Sequence, residues 1–200
     1  MAYGTNAAWG LLPVRYKNGT PYNGATNQYN IASAYATALY TGDPVVTLSD
    51  GTIGIGVAGV ACRGVFMGCK FTDTTSTYKI LPYWPAAQTI LTGSTCEALI
   101  ADDPDLVFNM QETNGSGAAG TPLALADRGL NINFYIAAGS TRTGLSGASI
   151  DNATEATTAA LNLKILDLTP YPGNVVGSFA NWLVCWNNHQ LMAGTGTSGV

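Results

Sequence analysis

Charge is what this sequence has least of. Only 10% of its 200 residues are Asp, Glu, Lys or Arg, against about 25% in an average soluble domain. The acids outnumber the bases 12 to 8, and there is a single histidine, His189. The bases Arg15, Lys17, Arg63, Lys70, Lys79, Arg128, Arg142 and Lys164 lie scattered. A groove for nucleic acid needs clustered Lys and Arg to meet phosphates, so no nucleic-acid partner is expected. A coiled coil is excluded as well, because its flanking positions are rich in charge. No apolar run approaches the roughly 20 residues that span a bilayer. The longest, Ile53 to Cys62, is broken by Gly54, Gly56 and Gly59, so no membrane partner is expected. The opening Met1-Ala-Tyr-Gly-Thr-Asn6 has neither a basic nor an apolar leader region, and no signal peptide is expected. Low charge combined with 46% hydrophobic residues excludes intrinsic disorder.

The same shortage limits chemistry. General acid–base work needs positioned titratable groups, and any Ser-His-Asp or Cys-His arrangement would have to use His189. Cys185 and His189 are four apart. On a strand that places them on one face but roughly 13 Å from each other, too far to share an ion. Asp102-Asp-Pro-Asp105 is the only acidic cluster. It lacks the periodicity of a calcium loop and reads as an Asx-type turn between strands. Asp73, Glu97, Glu112, Asp127 and Glu155 offer carboxylates, but no spacing singles out a glycosidase pair. Gly54-Ile-Gly-Val-Ala-Gly59 matches a dinucleotide loop in spacing, yet no helical period follows it, and it reads as part of a hairpin. No serine sits in a nucleophile elbow. The expectation is a protein that is not an enzyme and carries no cofactor or metal.

What is abundant is turn-forming and aromatic: 24 Gly, 10 Tyr and 4 Trp. Residues 1–30 hold Tyr3, Trp9, Leu11, Leu12, Tyr16, Tyr22 and Tyr29 among Gly, Asn and Thr, and read as an extended N-terminal arm. Aromatics are core residues first and interface residues second, so these rings must be buried on the chain's own body or on a neighbour. Ala-rich residues 31–40 read as one short helix. Residues 44–83 read as a meander with turns at Asp50-Gly51, Ala58-Gly59 and Asp73 to Ser76. Leu81-Pro-Tyr-Trp-Pro-Ala86 reads as a sheet edge or exit, since proline lacks a ladder donor. Further strands are expected at 97–101, 106–112, 130–136, 161–168 and 182–190, the fourth alternating cleanly. The fold class is therefore all-β, a short-stranded sandwich or barrel with few or no helices. Residues 31–192 form its body, with a weak split near 84–95, and 193–200 form a flexible tail. Cys62, Cys69, Cys96 and Cys185 read as free, buried thiols.

Several short blocks resemble a known group: Met1-Ala-Tyr-Gly-Thr-Asn6 with Trp9-Gly-Leu11 and Pro13, Tyr29-Asn-Ile-Ala-Ser33, Tyr35-Ala-Thr37 and Thr41-Gly-Asp-Pro-Val45. Asp50-Gly-Thr-Ile53, Gly64-Val-Phe-Met-Gly68, Tyr83-Trp-Pro-Ala86, Asp102-Asp-Pro104 with Phe108, Leu163-Lys-Ile-Leu166 with Pro170, and Asn187-Asn-His189 before Gly194-Thr-Gly-Thr197 continue it. Together they are similar to small structural proteins of tailed bacteriophages, the capsid decoration or cement proteins. The resemblance implies a β-rich virion protein, often a homotrimer, on the outer capsid surface. There it would bridge subunits of the major capsid protein and stabilise the expanded head. It brings no catalytic, cofactor or metal residues. The candidate subunit or capsid contacts are Tyr3, Trp9, Leu11, Leu12, Tyr83 and Trp84. Alternatives are a phage fibre, spike or receptor-binding domain with a glycan site of exposed Trp and Tyr, a β-sandwich carbohydrate enzyme, or another structural subunit.

Overall fold

The computed structural model describes residues 4–199. It is nearly all-β, with 41% of residues in strands and 2% helical. In chain order the strands are β1 (Leu12–Tyr16), β2 (Asn27–Ile31), β3 (Leu39–Tyr40), β4 (Pro44–Thr47), β5 (Ile53–Ile55), β6 (Gly64–Thr72) and β7 (Tyr78–Leu81). They continue as β8 (Tyr83–Trp84), β9 (Cys96–Ala101), β10 (Leu106–Thr113), β11 (Asn131–Tyr135), β12 (Ser149–Ala156), β13 (Leu163–Leu168) and β14 (Asn181–Trp186).

The C-terminal half closes on itself. Strands pair in the order β10-β12-β11-β13-β14, and β14 returns to β10, which gives a closed five-stranded barrel. Closure leaves no free edge within that ring. Side chains two apart share a face of a strand, so Leu106, Phe108 and Met110 of β10 point inward together. They meet Ile132 and Phe134, Ile150, Leu163 and Ile165, and Trp182, Val184 and Trp186 in one buried cluster. Phe108 meets Trp186 edge-to-face at 5.4 Å, the geometry the ring quadrupoles favour. β1 joins from outside, antiparallel to β10.

The other sheet runs β2-β9-β6-β4-β5, with β7 on the β4 side of β6. Its core is Ile31, Leu39, Val45, Ile53, Phe66, Cys69, Phe71, Trp84, Cys96 and Ile100. The meander appears as read: Val45 pairs with Ile55 across the Asp50-Gly51 turn, where the Thr52 N–H donates to Asp50 Oδ1 at 2.9 Å. The chain changes sheet at Asp102 to Asp105, and residues 85–95 lie between β8 and β9.

The expected helix at 31–40 is absent. Ile31 ends β2, Ala34 is left-handed at φ 62°, and Leu39–Tyr40 pair with Tyr83–Trp84. Tertiary contacts override alanine's helix preference, which is a weak prior. Ile31 and Leu39 enter the core, while the Tyr35 hydroxyl accepts the Ile55 N–H at 2.9 Å. The four cysteines are free and buried. The Gly54 to Gly59 stretch is strand β5 followed by a turn, with the Gly56 N–H donating to the Pro44 carbonyl at 2.7 Å.

Candidate functional site

Residues 4–11 cross the body before β1 begins. Gln111 ties them down: its Oε1 accepts the Ala7 N–H at 2.8 Å, and its Nε2 donates to the Thr5 and Phe179 carbonyls. The backbone then passes so close to Gly42 that side chains are excluded on both sides. A Cβ on Gly10 (φ +81°) would lie 2.3 Å from the Gly42 oxygen, and one on Gly42 (φ +97°) would lie 2.5 Å from the Trp9 oxygen. Only glycine accepts both the conformation and the contact. The Leu11 N–H donates to Gly42 O at 2.9 Å and the Gly10 N–H to Ala148 O at 3.0 Å.

This crossing creates an apolar cleft. Trp9, Leu11, Leu12, Pro13, Met67 and Leu145 line it, with Thr41 and Gly42, around a volume of about 140 Å³. A cavity near that size accepts a benzene-sized group. Leu11 is fully buried, while Leu12 and Leu145 remain 46% and 42% exposed. Leu145 is held there by loop 139–147: Ser140 N–H donates to Leu145 O at 2.9 Å, and Thr41 N–H to Gly144 O at 2.9 Å. Beneath this loop the Ser146 hydroxyl donates to Asp43 Oδ1 at 2.5 Å, and the Tyr40 N–H to Asp43 Oδ2 at 2.7 Å. Burial pushes the Asp43 carboxyl up to about 6 despite these two donors.

The candidate contact residues therefore separate. Trp9, Leu11 and Leu12 share the cleft. Tyr83 lies nearby: Thr41 of the cleft donates from N and Oγ1 to Pro82 O, at 3.1 and 2.7 Å, and Tyr83 stacks on Tyr40 at 5.7 Å. Trp84 must be corrected as a contact residue, because it is wholly buried away from the cleft, whereas Leu11, equally buried, forms part of the cleft's lining. Trp84 is core, meeting Phe71 edge-to-face at 5.3 Å and donating Nε1–H to the Tyr35 carbonyl. Tyr3 lies outside the described residues. Sequence reasoning missed Met67 and Leu145. Leu145 stands alone as a large apolar residue within the Gly139–Gly147 loop, and that isolation was a readable signal. Met67 lies at a register shift between Phe66 and Gly68 in the β6–β9 pairing, which alternation does not reveal.

The acidic cluster turns partly inward. Asp102, 7% exposed, accepts from Asn27 Nδ2 at 2.8 Å and from the Tyr29 hydroxyl, and Arg63 lies 3.6 Å away. Arg63 also donates to the Tyr29 oxygen at 2.6 and 3.1 Å. Asp103 Oδ1 accepts the Asp105 N–H at 2.8 Å, the Asx turn that was expected, and Asp105 pairs with Lys17 at 3.3 Å. These carboxylates are engaged in holding the junction between the sheets. His189 is buried, and burial pushes it down to about 4, so it is neutral near pH 7. Its Nδ1 accepts the Leu191 N–H at 3.1 Å. Among the described residues, no group of three or more His, Cys, Asp and Glu is arranged to hold a metal.

Three of the four tryptophans, Trp84, Trp182 and Trp186, are buried, and Trp9 is half-buried in the cleft. Comparison with known protein families, curated proteins and solved structures finds no match for this chain.

Proposed function

We propose that this chain is a structural virion protein that binds the outer surface of a phage capsid. It stabilises the expanded head by bridging subunits of the major capsid protein. The observation that carries the reading is the cleft between the N-terminal crossing and loop 139–147, a pocket with an apolar lining and exposed Leu12 and Leu145 at its mouth. Such a pocket takes an apolar side chain of a partner, the arrangement found at interface centres. The resemblance of the short sequence blocks to decoration proteins names the partner. Five of the eight basic residues, Lys17, Arg63, Lys70, Lys79 and Arg128, are already paired with acids within the chain. That leaves apolar contact as the main term in attachment.

Binding of this kind stabilises by mass action, since a ligand of the expanded lattice alone favours that state in proportion to occupancy. The test is co-sedimentation of purified chain with expanded heads that lack it. Leu12→Asp with Leu145→Asp places charge at the cleft mouth on exposed positions, so the fold is retained. Attachment should fall at least about tenfold, the effect of losing roughly 1.4 kcal/mol. Unchanged attachment of this folded double variant refutes the reading.

One feature favours a receptor-binding or glycan-binding domain instead. A groove of about 220 Å³ lies between Trp9 and the 42%-exposed Tyr171, bordered by Gln111, Asn174 and Asn181. Its amides are engaged internally, Asn174 with the Thr169 carbonyl and with Asn181, and Gln111 with the N-terminal segment. Saturable binding of simple sugars, lost in Tyr171→Ala, would support that alternative.

A further inference from the structure

The last described residues of the C-terminal segment, Gly196–Gly199, lie in a groove between the turn that follows β12 and the end of β14. After β14 the chain is anchored as far as Met192, whose N–H donates to His189 O at 3.0 Å. Ala193, Gly194 and Thr195 are exposed, and Gly194 at φ +78° would have open space around a Cβ. The chain then docks again. The Thr197 N–H and hydroxyl both donate to Asn187 Oδ1, at 3.1 and 3.2 Å. Asn131 Nδ2 donates to Thr197 O at 2.6 Å, Lys164 Nζ to Ser198 O at 3.1 Å, and the Gly199 N–H to Thr157 O at 3.0 Å.

Two properties make this groove a peptide site. Its readers are built in: Asn131 is 0% and Asn187 2% exposed, and Asn187 is fixed by donating to Ala159 O and Leu161 O at 2.8 and 2.9 Å. It is also selective. A Cβ on Gly196 would stand 2.6 Å from both Ala159 O and Asn187 O, and one on Gly199 would stand 3.0 Å from the Leu130 Cα. The groove thus accepts glycine at the first and fourth positions of Gly196-Thr-Ser-Gly199. Thr195, Thr197 and Ser198 point no apolar group into the core and are exposed. The segment is held by hydrogen bonds from its backbone and the Thr197 hydroxyl, with no buried apolar side chain, so it belongs to the weakly held parts of the fold.

From this we infer that Gly196–Gly199 is an exchangeable latch whose second occupant is the same segment of another copy. A latch from a neighbour makes the same backbone bonds as the chain's own, so the two states differ mainly in hinge conformation and local concentration. A short flexible tether supplies an effective concentration on the order of millimolar. Copies in dilute solution are latched internally. Copies packed side by side reach comparable concentrations, and straightening of the Ala193–Thr195 hinge then links neighbours. This holds whatever surface the copies cover, and its test is separate from that of capsid attachment.

The experiment uses three full-length variants at exposed positions: Ser198→Cys, Thr157→Cys, and the two combined. A short bismaleimide reports which thiols are adjacent, and the four native cysteines are buried and do not compete. In the double variant at micromolar concentration, the cross-link should close within one chain. When the single variants are mixed near millimolar concentration, a Ser198→Cys to Thr157→Cys heterodimer should form. Its yield should exceed by about tenfold the yield when the Ser198→Cys chain also carries Gly196→Val, which blocks docking through the clash above. Failure of the internal cross-link overturns the latch. A heterodimer yield indifferent to Gly196→Val, or no greater than that of either homodimer, overturns the exchange.

Discussion

Glu112 provides the sharpest test of the packing. It follows Met110 on the inward face of β10 and is 0% exposed. Its Oε2 accepts the Leu123 N–H at 2.9 Å, while Oε1 is buried without a partner. Burial pushes the carboxyl up to about 7 from 4.5, with the Leu123 N–H and the nearby Asn152 and Trp182 opposing the rise. Each tenfold change in proton affinity is worth 1.36 kcal/mol, so the ionised carboxylate costs the fold about 3 kcal/mol. The sign follows from linkage. Below about pH 4.5 the group is protonated in both states and costs nothing. Between about 4.5 and 7 the unfolded chain ionises while the fold retains its proton, so stability falls as pH rises. Above about pH 7 the cost is complete. Glu112→Gln keeps the shape and an acceptor for Leu123, and it removes the titration. Urea unfolding of both proteins at pH 4 and pH 8 isolates this group from others, such as Asp73, whose carboxyl Lys79 holds low and which works in the opposite direction. The variant should gain about 3 kcal/mol relative to the parent on going from pH 4 to pH 8. A stability difference that does not change with pH refutes the description of Glu112 as a buried carboxyl with raised proton affinity.

Gly10→Ala forces a Cβ to 2.3 Å from the Gly42 oxygen at a positive φ; it should lower stability by about 2–4 kcal/mol, seen as a reduced Tm. Asn162 is wholly buried, accepts the Gly59 N–H at 2.6 Å and donates to Val60 O at 2.7 Å, so it fastens the loop of the first sheet onto the barrel. Asn162→Ala should cost about 2–3 kcal/mol in urea unfolding and leave the m-value unchanged. All four thiols are buried, and burial pushes Cys62 up to about 12. A thiol-reactive chromophore should therefore label none of them at neutral pH until denaturant is added, because thiolate is the reactive form.

Much of the fold was legible because strands carry their signal locally. Leu163-Lys-Ile165 alternates inward and outward as its spelling says, and the Asp50-Gly51 turn sets the β4–β5 hairpin. The all-β class was likewise legible, from short alternating segments punctuated by turn residues. That Trp9, Leu11 and Leu12 would lie together was partly readable, since they are close in the chain. Which of the aromatics would be buried was not. Trp84 and Tyr83 are adjacent, yet one fills a core and the other stacks at the surface, because strand pairing with Leu39–Tyr40 sends successive side chains to opposite faces. Residues 31–40 favoured a helix locally and became turns and a short strand once Ile31 and Leu39 had a core to enter. Barrel closure, the cleft formed by Gly10 against Gly42 and Leu145, and the C-terminal latch all join residues distant in sequence. Local propensity holds no information about such contacts, and only packing of the whole chain decides them.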